Sequence, residues 1–544
     1  MAELSNAAAV LSPAPAKAVP KKPRRSIKIA DLDGRRQYVQ ACLVARKNPQ
    51  PWIRHPHVPA IPTFKERLFA YQQAEIETAS LHTRLLLQVS PRCGKTRAGL
   101  GSLLRARADR QFGRSIIFCP NAIVDVWIAE CALWGVTPVV IGAGGRDGKS
   151  RTIKESIEML QHLDEDALVL CNDERVEHLA QPLIDARFDG IIVDESHRII
   201  SLTSIRGEII RECAARATWV RFMTGTPIAN SPMDIWAQCS VLRPDIWGDN
   251  QDIFADLHLI NSNSKEPTIA NPAMYARMSR ACIHGYARED IFAEILAARA
   301  MENGGTVATA DNWQYINRFI YMPPAAVEAY NSVAAAYDAW MQESQEANHS
   351  AKGFAIQMQA RQITSGFLHP QGSKEWKDLH YAKTNAVLAD IEEPLLSGEK
   401  VVIFHLFVEE GKRFMGELHK RYPDMPLYEM NGTVHTSHYD ACVQFNNHNG
   451  PAVIVAQIQS ASLGLPMHTA NHIMFTSKTW RYIDLDQARD RIFSAGQMKT
   501  ITSYVVPDTI DMSIEEALAR RSNLHMQTVA IARIAPATHG ISPL

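Results

Sequence analysis

The stretch LLLQVSPRCGKTRAGL, residues 85–100, contains an apolar run, a short loop and the start of a helical pattern. The apolar run has the length of a strand, and the loop after it ends in Gly94, Lys95 and Thr96. In such a strand–loop–helix unit, backbone N–H groups hold phosphate oxygens, the lysine reaches the outer phosphates and the threonine binds Mg²⁺. A GKT triplet alone occurs by chance, and Val89 stands where the pattern G-x-x-x-x-G-K-[ST] begins with glycine. The strand and helix around the triplet therefore carry the prediction of a phosphate-binding loop.

A second apolar run, in GIIVDESHRI at residues 190–199, ends in two carboxylates. Ligands of α/β sheets bind at the carboxyl ends of the strands, so Asp194 and Glu195 are candidate site residues. We expect Asp194 to hold Mg²⁺ through water and Glu195 to polarise an attacking water as a general base. A D-E pair after a strand is often only a polar strand end, but its position downstream of a GKT loop favours the functional interpretation.

The rhythm of the apolar runs predicts the fold class. Runs of strand length that do not alternate strictly, with helix-length segments between them, are typical of parallel strands buried on both faces. One series lies at residues 85–89, 115–119, 167–171, 190–194 and 220–224, and a second at 400–407, 426–430, 452–456, 472–476 and 501–506. Residues 250–385 are Ala-rich and show no strand series. The sequence therefore predicts an α/β protein with two parallel sheets covered by helices and a helical insertion between them.

A third motif, FMTGTPIAN at residues 222–230, follows the last run of the first series. Small hydroxyl residues at a strand end can relay between a nucleotide site and a bound strand, which makes Thr224, Gly225 and Thr226 candidates for that coupling. An ordinary Gly/Pro turn is the alternative and would be preferred for this motif alone.

Composition limits the function classes. The chain of 544 residues is long enough for several domains. The 57 Lys and Arg residues nearly balance the 58 Asp and Glu residues, so the net charge is close to zero. A nucleic acid would therefore be held by a local basic surface. The nine cysteines include no C-x-x-C pair, so we expect reduced, buried thiols and no zinc site. No membrane helix or signal peptide is recognisable, and we expect a cytoplasmic protein.

The three motifs together resemble motifs I, II and III of the superfamily 2 helicases, and finer details resemble the Swi/Snf-type branch of ATP-dependent DNA translocases. LFAYQQ at residues 68–73 resembles the L-x-x-Y-Q segment of that branch, with Tyr71 and Gln72 in the matching positions. CPNAIVDVW at 119–127 resembles its C-P-x-x-x-x-x-x-W segment. TGTPIANSPMDIWAQCSVLRP at 224–244 resembles its T-G-T-P-I-x-N motif and the D/E-x-W segment that follows.

The second series of runs extends the resemblance. KVVIFHLF at residues 400–407 resembles motif IV, and LYEMNGTVHTSHYDACVQF at 427–445 resembles the D-G-x-T segment with Asn431 in place of the aspartate. IVAQIQSASLGLPMHTANHIMF at 454–475 resembles motif V, with Gly464 in its turn. The remaining segment, DLDQARDRIFSAGQMKTITSYVV at 484–506, resembles motif VI through matches at Gln487, Asp490, Arg491, Gly496 and Gln497.

The resemblance implies two tandem RecA-like lobes that bind ATP and Mg²⁺ between them and act on DNA. Its catalytic residues map to Lys95, Glu195 and Arg491. Its magnesium-binding residues map to Thr96 and Asp194. The remaining nucleotide contacts implied by the family map to Gln72, which faces adenine, and to Gly94, Gly464 and Gln487.

The implied domains are a basic flexible tail and lead-in (1–60), a first lobe (61–250), a helical insertion (251–385), a second lobe (386–515) and a C-terminal helix with a tail (516–544). Two departures from the family pattern stand out. Arg92 replaces a usual glycine of the loop, and Ser494 replaces the second arginine of motif VI. Arg491 remains, and Arg489 is a nearby candidate for a substitute cation.

We therefore expect a motor that translocates on duplex or branched DNA, mainly through backbone contacts, in a prokaryotic cell or phage-infected host. A strand-separating DNA or RNA helicase is an alternative. An ATP-sensing nucleic-acid clamp with little turnover is a second alternative, of a different class.

Overall fold

The structure is a computed structural model. It describes residues 68–91, 93–110, 112–142, 151–201, 204–228, 231–261, 267–286, 291, 313–343, 351–369, 376–432, 438–461, 467–492 and 499–532. The predicted basic tail at residues 1–60 lies outside these ranges, as do Arg92, Gly464, Ser494, Gly496 and Gln497.

The first lobe is built on a seven-stranded parallel sheet with the strand order β3-β4-β2-β5-β6-β1-β9. Its strands are β1 (Arg84–Val89), β2 (Ser115–Cys119), β3 (Val139–Ile141), β4 (Leu168–Asn172), β5 (Gly190–Asp194), β6 (Trp219–Thr224) and β9 (Ile283–Tyr286). The helices of this part are α1 (Ala70–Glu77), α2 (Lys95–Arg110), α3 (Val124–Leu133), α4 (Ile153–Gln161), α5 (Ala180–Ala186), α6 (Ile205–Arg216), α7 (Met233–Leu242), α8 (Pro244–Trp247), α9 (Gln251–His258) and α10 (Pro272–Arg280). A two-stranded antiparallel ribbon, β7 (Leu259–Ile260) and β8 (Thr268–Ile269), follows α9.

Helices cover both faces of this sheet, as the unbroken apolar runs predict. Leu86 of β1 belongs to the hydrophobic core on one face, whereas Leu85 and Leu87 belong to the core on the other. Successive side chains of a strand point to opposite faces, so a strand buried on both faces needs apolar residues at nearly every position.

The second lobe contains a six-stranded parallel sheet with the order β10-β17-β16-β13-β15-β14. Its strands are β10 (Trp313–Phe319), β13 (Lys400–His405), β14 (Leu427–Met430), β15 (Ala452–Gln457), β16 (His472–Phe475) and β17 (Lys499–Val505). A short antiparallel pair, β11 (Phe367–Leu368) and β12 (Lys377–Asp378), lies outside that sheet. The helices of this part are α11 (Pro324–Glu343), α12 (Ala351–Thr364), α13 (Ala382–Asp390), α14 (Glu392–Leu396), α15 (Val408–Arg421), α16 (His438–Asn447), α17 (Ile458–Ala461), α18 (Tyr482–Asp490) and α19 (Ile510–Ala532). Two parallel sheets covered by helices confirm the predicted fold class.

The expectation that residues 250–385 contain no strand series is wrong. Strand β9 extends the first sheet beside β1, and strand β10 forms an edge of the second sheet beside β17. Residues 314–319 of β10 are exposed. An exposed edge strand can carry polar residues and needs no continuous apolar run of the kind found in a central strand, so the sequence contained no signal for it. Strand β9 has only four residues, too few for a periodic signal. Helices α11 and α12 confirm the helical character of the middle of this stretch.

The predicted burial of the cysteines is confirmed within the part of the chain that the structure describes. All eight cysteines there are buried, and none forms a disulfide. Cys42, the ninth, lies outside it.

Helix α19 is fastened to the second lobe by a buried ion pair at its first turn. The Nζ atom of Lys383 lies 2.7 Å from Oδ2 of Asp511 and donates to the carbonyl of Thr476 at 2.8 Å. The hydroxyl of Thr364 donates to the other carboxylate oxygen at 3.0 Å. From this anchor, α19 runs on to contact α10 of the first lobe.

None of the helices in the described ranges combines the length and the apolar composition that crossing a bilayer requires.

We predict that Asp511→Ala destabilises the fold by about 3 kcal/mol, because it leaves the Lys383 ammonium, only 2% exposed, without its carboxylate. Urea unfolding should show the transition at a lower denaturant concentration. The double variant Lys383→Met/Asp511→Ala should recover part of this loss. Glu417→Ala, which removes the partner of the exposed Lys420 in the same lobe, is the control and should change stability little. An Asp511→Ala transition matching that of the control would contradict the anchoring role.

Candidate active site

The predicted phosphate-binding loop joins β1 to α2 at the carboxyl end of the sheet. Gly94 has a φ of 82°, a left-handed conformation that favours glycine. A Cβ at this position would also lie 2.3 Å from Nε2 of Gln72, so that side chain would have to move. Helix α2 begins at Lys95, and Thr96 follows, half-buried, in its first turn. The loop thus presents a lysine and a hydroxyl at a helix N-terminus, as an anion site requires.

The lysine of the loop lies between the two predicted carboxylates. Its Nζ atom is 2.9 Å from Oε1 of Glu195 and 3.1 Å from Oδ1 of Asp194. Burial opposes the charge of Lys95, but the two carboxylates outweigh burial and raise its pKa. The structure therefore brings Lys95 to the adjacent pair Asp194 and Glu195, which lies about 100 residues further along the chain.

Asp194 is fixed by two donors besides the lysine. The indole Nε1 of Trp127 donates to Oδ2 of Asp194 at 3.0 Å, and the backbone N–H of Glu195 donates to Oδ1 at 2.9 Å. Trp127 is fully buried on α3. Trp127 belongs to the segment that resembles the C-P-x-x-x-x-x-x-W pattern, but the sequence predicted no contact for it in the site.

Glu195 sits in a strained conformation with a φ of 51°. A non-glycine residue in the left-handed region is uncommon and is concentrated at functional sites. Burial opposes ionisation of its carboxyl, but Lys95 and His197 together hold the pKa of Glu195 well below its usual range. Glu195 is thus ionised and surrounded by donors.

The turn after β6, which carries the third motif, reaches this carboxylate through a histidine. The Nδ1 atom of His197 lies 3.0 Å from the hydroxyl of Thr224 and 3.3 Å from Oε2 of Glu195. The N–H of Thr226 donates to the same hydroxyl at 3.1 Å. A Cβ on Gly225 would meet the ring of Pro91 at 2.8 Å, so this turn also packs against the phosphate loop. The sequence predicted no role for His197. Its position two residues after Glu195 was the one feature of the sequence that could have suggested it.

The second lobe contributes Gln487 and Arg491. Nε2 of Gln487 on α18 donates to Oε2 of Glu195 at 3.4 Å. Arg491 is buried one residue past the end of α18. Burial lowers the pKa of Arg491, although the carboxylates of Glu195, Asp490 and Asp194 act in the opposite direction. Gln487 contacts the first-lobe cluster, and the charge of Arg491 interacts with its carboxylates, so the site draws on two lobes.

Arg489 lies in a different environment. It forms an ion pair with Asp486 on its own helix and a longer contact with Asp490. These two carboxylates outweigh burial and raise its pKa further above its usual range. Arg491, not Arg489, is therefore the arginine that the structure places beside Glu195.

Gln72 is already engaged within its own lobe. Its Oε1 accepts from the backbone N–H of Phe69 at 2.8 Å, and its Nε2 donates to the carbonyl of Gly94 at 3.0 Å. The structure thus places Gln72 against the phosphate loop. Its contact with adenine stays a prediction.

Comparison with known proteins places this geometry in a family. Residues 70–365 match the model of the SNF2-related domain. The ISWI chromatin-remodeling complex ATPase ISW1 of Saccharomyces cerevisiae is 23% identical over 75% of this chain and 35% of its own length. The DNA annealing helicase and endonuclease ZRANB3 of Mus musculus is 22% identical over 64% of this chain and 31% of its own length. The chain thus spans about a third of the length of these relatives.

Among solved structures, the SWI2/SNF2 ATPase core of Sulfolobus solfataricus in complex with dsDNA is similar to this chain. The match covers 88% of this chain and 97% of that one, at 17% identity and a TM-score of 0.37. The family itself is shown by the domain match, which extends over more than half of the 544 residues. The chain belongs to the SNF2-related domain family.

Proposed function

We propose that the chain is an ATP-driven motor that hydrolyses ATP between its two lobes and moves along double-stranded or branched DNA. One observation carries the proposal. The cluster of Lys95, Asp194 and Glu195 in the first lobe is completed by Gln487 and Arg491 of the second.

Each residue has a role that its chemistry supports. Lys95 would bind the outer phosphates of ATP, and Glu195 would orient and deprotonate the attacking water. Arg491 would stabilise negative charge on the transferred phosphoryl group. Because these groups come from both lobes, only the closed arrangement of the lobes has the complete set.

The donor set also fits Mg²⁺. The hydroxyl of Thr96 and the carboxylate of Asp194 are oxygen ligands, which Mg²⁺ prefers, and few protein ligands suffice when phosphates supply the others. Trp127 and the N–H of Glu195 hold the Asp194 carboxylate in place for this role. Bound with ATP, the ion would neutralise charge on the phosphate oxygens.

We propose that the contact between Thr224 and His197 links the chemical step to movement. It joins the turn after β6 to Glu195, and the same turn packs on the phosphate loop at Pro91. A change at the phosphates can therefore reach this turn directly. We propose that DNA lies across both lobes near this turn and near the segment that resembles motif V, so that closing and reopening of the lobes moves the protein along the strand.

The choice of DNA is supported by the names of the relatives, which include a DNA annealing helicase and chromatin-remodeling ATPases. The near-neutral net charge favours a local contact surface on the phosphate backbone over broad attraction. Ser494, at the position of a family arginine, motivates the competing function of an ATP-sensing clamp that turns over little ATP.

The test is phosphate release from ATP by the purified chain, alone and with single-stranded DNA, duplex DNA, forked DNA or RNA. We expect stimulation by duplex or forked DNA, and Lys95→Ala should abolish it because the phosphates lose their cation. Release at the Lys95→Ala level on every nucleic acid would overturn the motor and favour the clamp. Stimulation by RNA alone would move the assignment to an RNA helicase.

We predict that Arg491→Ala lowers the DNA-stimulated turnover by about 10³-fold, the scale of a lost arginine finger. Arg489→Ala should have a much smaller effect, because Arg489 is held by Asp486 and not by the site. Steady-state rates of both variants at saturating ATP and DNA make the comparison. A larger loss in Arg489→Ala than in Arg491→Ala would contradict the assignment of the second-lobe cation.

We predict that Trp127→Phe lowers turnover roughly tenfold, because the charged carboxylate of Asp194 loses the hydrogen bond that the indole donates. The matched control is Trp236→Phe, which removes an indole that donates to the carbonyl of Trp247 in the same lobe. Both variants lose a buried indole, so thermal unfolding should shift similarly in the two. Equal turnover in the two variants would mean that the Trp127 contact supports the fold and not the site.

A further inference from the structure

A buried polar cluster lies at the edge of the first sheet, where α1 packs on β9. The carboxylate of Glu75 accepts from Nδ1 of His284 at 2.6 Å and from the hydroxyl of Tyr286 at 2.8 Å. Burial opposes the charge of Glu75, but these donors and Arg221 lower its pKa to about 2. Glu75 is therefore an ionised acceptor that fixes the orientation of the Tyr286 ring.

Tyr286 connects this cluster to both ends of the phosphate loop. At the start of the loop, the N–H of Ser90 donates to the carbonyl of Tyr286 at 3.2 Å. Near its end, the ring of Tyr286 lies 4.8 Å from the ring of Tyr71, whose hydroxyl donates to the carbonyl of Cys93. Strand β9 thus touches the loop through its backbone and, by way of Tyr71, through its side chain.

The composition of the loop explains why such support matters. Val89 occupies the position of the first glycine of the usual pattern, and Gly94 is the only glycine between β1 and Lys95. The loop curves around phosphate through its backbone N–H groups, so its conformation sets their direction. Here the carbonyls of Cys93 and Gly94 are each held by a side chain of α1, Tyr71 and Gln72 respectively. The loop is shaped by its neighbours in addition to its own residues.

We propose that Tyr286 and Glu75 are positioning residues of the nucleotide site, which hold the phosphate loop in its binding conformation through Tyr71. The inference rests on the proposed function, because it takes the loop to be the ATP-phosphate site. Neither residue is assigned contact with the reacting atoms. Their loss therefore weakens binding of ATP and ADP and leaves the chemical step largely intact.

The experiment measures the KM for ATP, kcat, and the Kd of a fluorescent ADP analogue for the full chain carrying Tyr286→Phe. The substitution removes the hydroxyl that reaches Glu75 and keeps the ring. We expect KM and Kd to rise roughly three- to tenfold, the effect of one lost hydrogen bond, with kcat within about twofold of wild type. Glu75→Gln, which keeps the shape and removes the charge, should shift KM and Kd in the same direction.

The matched control is Tyr275→Phe. It removes another buried tyrosine hydroxyl of the first lobe, one that donates to the carbonyl of Pro232. A merely structural role predicts the same KM for Tyr286→Phe as for this control, and that result would overturn the inference. If Tyr286→Phe unfolds at a lower temperature than the control, the Kd measured at low temperature and the result for Glu75→Gln decide between the two roles.

A double-variant cycle tests the route through Tyr71. Tyr71→Phe removes the bond to Cys93, so adding Tyr286→Phe to it should change the Kd less than Tyr286→Phe does alone. Fully additive effects would overturn this route. If wild type binds the ADP analogue but releases no phosphate, the motor proposal fails and the Kd values still decide the positioning role. If wild type binds no nucleotide, both proposals fall.

Discussion

The site depends on one partly buried interaction, the Lys95 ammonium held between the carboxylates of Asp194 and Glu195. A buried charge without partners is costly, so each of these three groups must be matched by the others and by further donors. Trp127 satisfies one oxygen of Asp194, and Gln487 reaches Oε2 of Glu195 from the second lobe. The requirement to satisfy these charges thus extends from the loop to the interface of the lobes.

The parallel sheet makes this meeting of charges possible. Strands β5, β6 and β1 are neighbours in the sheet, and their carboxyl ends lie at one edge. Asp194 ends β5, Thr224 ends β6 and the phosphate loop follows β1. Because all three strands point the same way, residues separated by long stretches of sequence reach one cleft. The second lobe then needs only one helix, α18, to bring Gln487 and Arg491 to the same place.

Much of this arrangement was predictable from the sequence, and the rest was not, for identifiable reasons. The predicted run 85–89 is strand Arg84–Val89, and 220–224 is Trp219–Thr224, because central strands buried on both faces need continuous apolar residues. Strand Ile283–Tyr286 has no such signal, and its contact with the phosphate loop depends on a pairing across the whole lobe. The Trp127 contact could not be predicted for the same reason, because only the folded chain brings Trp127 next to its partner Asp194.

The donors around Glu195 bear on how the proposed reaction would begin. Lys95, His197 and Gln487 all lie against this carboxylate, and with its pKa held so low it is a weak proton acceptor. Lys95 is the donor that the phosphates of ATP would share with the two carboxylates, because phosphate oxygens accept strong hydrogen bonds from an ammonium group. A lysine that turns toward phosphate would leave Glu195 with fewer donors. In the proposed motor, binding of ATP would therefore change which side chains contact Glu195.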